Sequence, residues 1–191
     1  MRRSCLFGAI LVFATSAALA QTSTWVPDKA HSEVNFSVLH MSVSSVRGRF
    51  GNIGGSIVLN ETDIAKSSVS VTIDVSSVDT GVSARDNDLK SAGFFDAAQF
   101  PTATFVSTGV AKNGSGLVVT GNLTLHGVTK PVVLEVEGPQ GPVKGMDQKP
   151  HAGYSAAATI SRTAFGIGTK YPAVMIGDEI KLTIDLDVVK Q

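Results

Sequence analysis

Hydrophobic and polar residues alternate along most of this chain. Val34, Phe36 and Val38 alternate with Asn35 and Ser37, and Val69, Val71, Ile73 and Val75 with Ser70, Thr72 and Asp74. Leu117, Val119, Leu123 and Leu125 share one parity, as do Val132, Leu134 and Val136, and finally Ile180, Leu182, Ile184, Leu186 and Val188. A period of two puts every second side chain on the same face of a strand, so each run reads as a strand with one apolar and one wet face. Weaker runs near 46–59, 102–110 and 153–162 bring the expected number to about eight strands.

Asn113-Gly114 and His126-Gly127 fall between such runs, where tight turns would join neighbouring strands. Strands joined in this way pair antiparallel, and a one-sided sheet must bury its apolar face against a second sheet or by closing on itself. The stretch HAGYSAAATISR, residues 151–162, favours closure. A sandwich core would place large side chains there, whereas small ones leave volume unfilled, and a barrel of about eight strands is just wide enough to hold one small ligand. Close packing of these alanines under a neighbouring strand or subunit is the alternative.

Two segments depart from the alternation. LNETDIAKSS reads as a turn with a single helical turn, whereas SARDNDLKSAGFFDAAQF predicts a short helical segment near 83–99 that starts at Ser83, with Asp86 three residues on as a weak capping box. The three rings Phe94, Phe95 and Phe100 on that connection must lie across apolar surface, either on the outer crease of the barrel or over its open end. Arg85, Asp86 and Asp88 read as local architecture fixing this helix. EGPQGPVKGMDQKP, residues 137–150, reads as one long surface loop, and GNIGG, residues 51–55, as a bend or bulge.

Residues 1–20 read as a secretion signal: Arg2 and Arg3, an apolar stretch from Leu6 to Leu19, and small residues Ala18 and Ala20 before Gln21. The domain proper is then 21–191, and the mature chain is expected to be soluble and periplasmic, without a membrane-spanning segment. The only cysteine, Cys5, falls within the signal, so disulfides, thiolate catalysis and Cys-based zinc sites are not expected in the mature chain. The formal net charge is zero and no basic stripe is present, which argues against a nucleic-acid partner.

Chemistry-bearing motifs are scarce. The sequence holds no G-x-S-x-G, no H-E-x-x-H and no phosphate loop. His31, His40, His126 and His151 stand singly, without a metal-ligand spacing, so neither a metal nor a cofactor is expected. His40 shares the parity of Val34, Phe36 and Val38 and would point inward at a strand end. Arg162 shares the parity of Ile160, and a cation there would meet either a ligand headgroup or a partner carboxylate.

WVPDKAHSEVNFSVLHM, VRGRFGNIGGSI, SVDTGVSARDNDLKSAGFFDAAQFPTATF, GNLTLHGVTKPVVLEV and ISRTAFGIG occur in that order over nearly all of the chain after the signal. In this series the sequence resembles the bacterial YceI-like polyisoprenoid-binding proteins, which are periplasmic lipocalin-like barrels. Asp88 before Leu89 departs from the pattern, since members of that family often carry His there. The resemblance implies an all-β fold, an eight-stranded antiparallel barrel with a helical segment beside it. It also implies an elongated apolar tunnel that takes a polyprenyl or similar amphiphilic chain.

Together these readings assign a non-enzymatic periplasmic carrier of a long-chain isoprenoid, of polyprenyl or prenylquinone type. Val34, Phe36, Val38, Val71, Ile73, Phe105, Leu123, Leu134, Leu182 and Ile184 would form the tunnel wall. Phe94, Phe95 and Phe165 would form its roof, with His40 and Arg162 as headgroup contacts. Two alternatives stay open: an enzyme acting on a barrel-bound lipid through His40, and a scaffold that docks on a membrane redox or stress-response partner. A homodimer through the helix edges or the loop around Gly145 is also compatible with the sequence.

Overall fold

The computed structural model describes residues 22–191; the expected signal lies outside the described residues. Ten strand segments follow in order: β1 (Thr22–Pro27), β2 (Glu33–His40), β3 (Ser44–Phe50), β4 (Ile53–Asn60), β5 (Ser68–Asp74), β6 (Thr102–Asn113), β7 (Gly116–Leu125), β8 (Val128–Lys144), β9 (Pro150–Ser161) and β10 (Ile176–Lys190). They form one antiparallel sheet in the order β1-β4-β5-β6-β7-β8-β9-β10-β2-β3, and β1 also pairs with β10.

That last pairing closes the sheet into a barrel. β1 and β2 both lie along β10, with Pro27 opposite Val188 and Val34 opposite Ile184, so they act as one strand interrupted by a turn. β3 and β4 likewise continue one another across Gly51-Asn52, where Asn52 takes a φ of 52°. The ten segments therefore make eight staves, which leaves no long unpaired edge.

The alternating residues form the interior. Phe105, Val119, Leu123, Val132 and Ile160 are buried in one cluster, and Trp25, Ile57, Ala152, Tyr154 and Val188 in a second toward the other end. Parity does not run unbroken along every strand. A register shift between Ser107 and Gly109 turns the inward face of β6 from Ala103 and Phe105 to Val110. Glycine is required where backbones and rings crowd: a Cβ at Gly55, whose φ is 115°, would strike the Ser70 carbonyl.

The turns follow the expected chemistry. His126 and Gly127 take φ of 52° and 72° and join β7 to β8, and Gly114, at 58°, opens the β6–β7 turn. A single 3₁₀ turn occupies Ile64–Lys66, capped by Asp63, whose carboxylate accepts from the Ala65 N–H.

Two expectations need correction. Residues 137–150 are not one loop: β8 runs on to Lys144 and only 145–149 turn the chain. Pro139 and Pro142 are tolerated because register irregularities between Glu137, Gln140 and Val143 interrupt the ladder where their missing N–H groups would have been needed. The helix α1 covers Ser83–Lys90 alone, and turns continue to Phe100. Its N-cap is Val82 and no capping box forms. Asp86 instead accepts from the Thr80 N–H (2.8 Å) and hydroxyl (2.6 Å), while Arg85 donates to the Thr80 hydroxyl and carbonyl, so both charged residues tie the helix to the chain before it.

Candidate lipid chamber

An apolar chamber runs along the barrel axis in two adjoining compartments. The larger, with a cavity volume of about 130 Å³, is walled by residues that include Val71, Phe105, Leu134 and Ile184. The second, about 120 Å³, lies toward α1 and is walled by Phe36, Val38, Phe94, Phe95 and others. Val34, Ile73, Leu123 and Leu182 line both compartments, so the two adjoin at the barrel waist. The accessible wall is apolar throughout. Cavities of this size are not left in ordinary cores, which pack to crystal-like density with few voids larger than a water.

Small side chains create part of this space. On β9, Ala156 faces the larger compartment, and the inward Ala158 packs against the first core cluster, where larger residues would have filled the centre. Ala157, between them, faces outward.

The end of the barrel beside α1 is closed by aromatic rings. Phe95 meets Phe50 edge-on at 5.4 Å between centroids, and Phe50 in turn contacts Phe36 at 5.6 Å. Phe94 stacks on Tyr171 at 5.5 Å with 18° between the rings. Offset and edge-on pairs suit the ring quadrupoles, so these five side chains brace one another in two sets, Phe36-Phe50-Phe95 and Phe94-Tyr171, at this end of the compartment. Phe100 lies outside this roof, edge-on to His126 at 4.9 Å. His126 Nδ1 sits 3.0 Å from the Phe165 carbonyl, and because a carbonyl only accepts, this nitrogen carries the proton.

Of the fifteen residues assigned from sequence, the ten wall residues, Phe94, Phe95 and Arg162 line the chamber; His40 and Phe165 do not. His40 is exposed at the end of β2, opposite Ser44 and Ile176, because the strand runs one pair past the last chamber residue, Val38. Phe165 belongs to a 3₁₀ turn, Thr163–Phe165, and is 2% exposed within the core cluster.

Arg162 lines the chamber yet offers it no donor. It is 3% exposed, and all five of its N–H groups point at backbone carbonyls. Nε donates to Gly177 (3.0 Å), Nη1 to Ile167 (3.0 Å) and Gly168 (2.6 Å), and Nη2 to Tyr171 (2.7 Å) and Ile176 (2.8 Å). A guanidinium has five donors and no more. Both roles expected for this side chain, headgroup contact and carboxylate partner, give way to a third: it gathers the 166–177 loop around itself. Asp178 secures the same corner, accepting from the Ser161 hydroxyl (2.7 Å), the Thr163 hydroxyl (2.6 Å) and the Thr163 N–H (3.0 Å), and these bonds hold its carboxyl below the usual range.

The opposite end is built differently. Leu59, Leu117 and Tyr154 line the larger compartment and also a surface vestibule, whose other walls include Asn60, Glu61, Lys112 and Gly138. Neither Asn60 nor Tyr154 was singled out from the sequence. Tyr154 could have been found, since it shares the inward parity of Ala156 and Ala158; no sequence signal marks Asn60.

Nearby on the outer surface, His151 bridges two carboxylates, with Nδ1 2.8 Å from Asp187 and Nε2 3.2 Å from Asp147. The Asp187 hydrogen bond is the main cause of its raised pKa. Among the described residues no group of His, Cys, Asp and Glu is arranged to hold a metal, and no helix is long and apolar enough to cross a membrane.

Comparison with known proteins agrees with this architecture. The YceI-like domain family matches residues 25–188. Protein YceI of Salmonella newport is 39% identical over 188 residues, covering 96% of this chain and 94% of its own. The crystal structure of Burkholderia cenocepacia BcnA superposes with a TM-score of 0.75 at 27% identity, over 84% of this chain and 98% of that one. A polyisoprenoid binding domain from Saccharophagus degradans has the same fold, with a TM-score of 0.63 at 16% identity, over 90% of this chain and all of that one. The match along nearly the whole described chain establishes that this protein belongs to the YceI-like domain family.

Proposed function

We propose that this protein binds a long-chain isoprenoid, or an amphiphile of similar shape, in the barrel and serves as a periplasmic carrier or store for it without chemically altering it. The observation that carries this reading is the apolar chamber. Its two compartments adjoin at the waist along the barrel axis, and both are lined by side chains that offer contact but no hydrogen bonds. Such a space suits a linear hydrocarbon. Burial of the chain gains on the order of 0.8 kcal/mol per CH₂-sized unit, offset in part by ordering of a flexible molecule.

The polyisoprenoid-binding description of the Saccharophagus degradans relative supports the same ligand class. Binding is favoured over catalysis because His40, the side chain an enzymatic reading would use, is exposed outside the chamber. Proton transfer requires a group within hydrogen-bond reach of the reacting atom.

The test is a chamber-blocking substitution. Ile184→Trp projects a larger ring into the wider compartment and is expected to abolish retention of a long-chain polyprenol added to the purified protein, with the far-ultraviolet circular dichroism unchanged. Undiminished lipid uptake by a folded Ile184→Trp variant would contradict a ligand in this chamber.

A further inference from the structure

The chamber wall offers a lipid no polar partner, and Arg162 at the α1 end has no free donor. A polar head must then be met elsewhere, and the vestibule at the opposite end holds two uncommitted donors. Tyr154 is 9% exposed, and its hydroxyl has no hydrogen-bonding partner among the described residues. Asn60 is 4% exposed. Its Oδ1 accepts from the Thr62 N–H (3.2 Å), the Thr62 hydroxyl (2.9 Å) and the Asp63 N–H (2.7 Å). Three donors on one oxygen fix the orientation of the amide, so the opposite atom is the NH₂, and that group has no partner among the described residues.

Every sealed side-chain nitrogen or oxygen among the described residues has a partner, so both unpartnered groups remain accessible. An accessible but mostly buried polar group without a protein partner is poised for a ligand or for water. Here both groups are donors. The Tyr154 phenol is held in its neutral, proton-bearing form because burial pushes its pKa up.

We infer that the vestibule is a head-group subsite, in which Tyr154 and Asn60 donate to an acceptor oxygen at the polar end of a lipid whose chain fills the chamber. The subsite selects an uncharged, carbonyl-type oxygen, as in a quinone, ester or amide. A phosphate would call for clustered cations, and Lys112, the one cation among the described residues lining the vestibule, is offset by Glu61 in the same wall. The lipid therefore lies with its tail toward Phe94 and Phe95 and its head toward Tyr154. This inference rests on the chamber reading above.

The experiment compares three ligands with the same prenyl chain: one ending in a quinone, one in a phosphate and one in no polar group. The purified protein and two variants are titrated with each. Tyr154→Phe removes one hydroxyl, and Asn60→Asp keeps the turn-forming oxygens while replacing the donor amide. Loss of one uncharged hydrogen bond should weaken quinone binding by roughly 3- to 10-fold in Tyr154→Phe. Asn60→Asp should weaken it at least as much, and binding of the headless chain should be unchanged in Tyr154→Phe. Equal effects on headed and headless ligands, or no effect on either, would overturn the inference while leaving the chamber intact. Tighter binding of the phosphate than of the quinone by the unmodified protein would overturn the selectivity. Failure of the unmodified protein to hold any of the three chains would instead bring down the chamber reading, and this inference with it.

Discussion

The two ends of the barrel solve opposite problems. Beside α1, polar groups are present but consumed: five carbonyls surround Arg162, and five aromatic rings pack in two sets at the chamber's end. At the other end the Trp25 cluster packs the floor, yet the Tyr154 hydroxyl and the Asn60 NH₂ stand without partners among the described residues. The first end spends its hydrogen bonds on its own shape, and the second keeps two in reserve. A charged residue beside a cavity is therefore no guide to where a ligand's head lies until its donors have been counted.

The largest effect that could break this contrast is at Arg162. Arg162→Met should destabilise the fold by at least about 3 kcal/mol, because buried carbonyls are left without donors and each such group costs about 1–3 kcal/mol. Urea unfolding measures this directly. Arg162→Lys should recover little, since an ammonium has three donors and cannot span five carbonyls. A loss within about 0.5 kcal/mol, the usual range for surface substitutions, would show that the loop does not depend on the guanidinium.

A smaller effect is expected at the roof. Phe95 is only half-buried, so Phe95→Ala should cost about 2 kcal/mol, less than a fully enclosed phenylalanine. It should also speed lipid release by opening the compartment beside α1. Unchanged release kinetics would mean that the ligand leaves by the vestibule.

The smallest effect separates the ends by pH. His151 is near the vestibule, and its pKa is raised by Asp187 and Asp147. Its protonated form is thus favoured in the folded state. The stability it adds is complete below the ordinary histidine value of about 6.5 and is lost as pH rises through the higher folded value. The melting temperature of the unmodified protein should exceed that of His151→Gln at pH 6, and the gap should close by about pH 9. A gap that widens with pH would contradict the bridge.

Much of the barrel is legible in the sequence because a period of two is a direct record of which face is buried. The ten wall residues read from that parity all line the chamber. Parity failed where strands end or bulge. His40 continues an inward pattern past the last chamber residue of its strand, and Phe165 sits in a turn to which strand parity does not apply. The closing strand, Thr22–Pro27, is short and mixes Trp25 with polar neighbours, so it gave no alternation to read. The use of Arg162 was hidden for a different reason: its partners are backbone carbonyls, which carry no residue identity. The same holds for Asn60, whose role depends on which of its atoms the local turn has already occupied.

The central claim is that the chamber holds a lipid. Its most direct test is native mass spectrometry of the protein purified from its own cells without detergent, followed by solvent extraction of whatever is bound. The expected result is a noncovalent adduct that yields a prenyl-chain lipid on extraction and disappears in the Ile184→Trp variant. A ligand-free mass, with no adduct after addition of long-chain prenyl lipids, would contradict it.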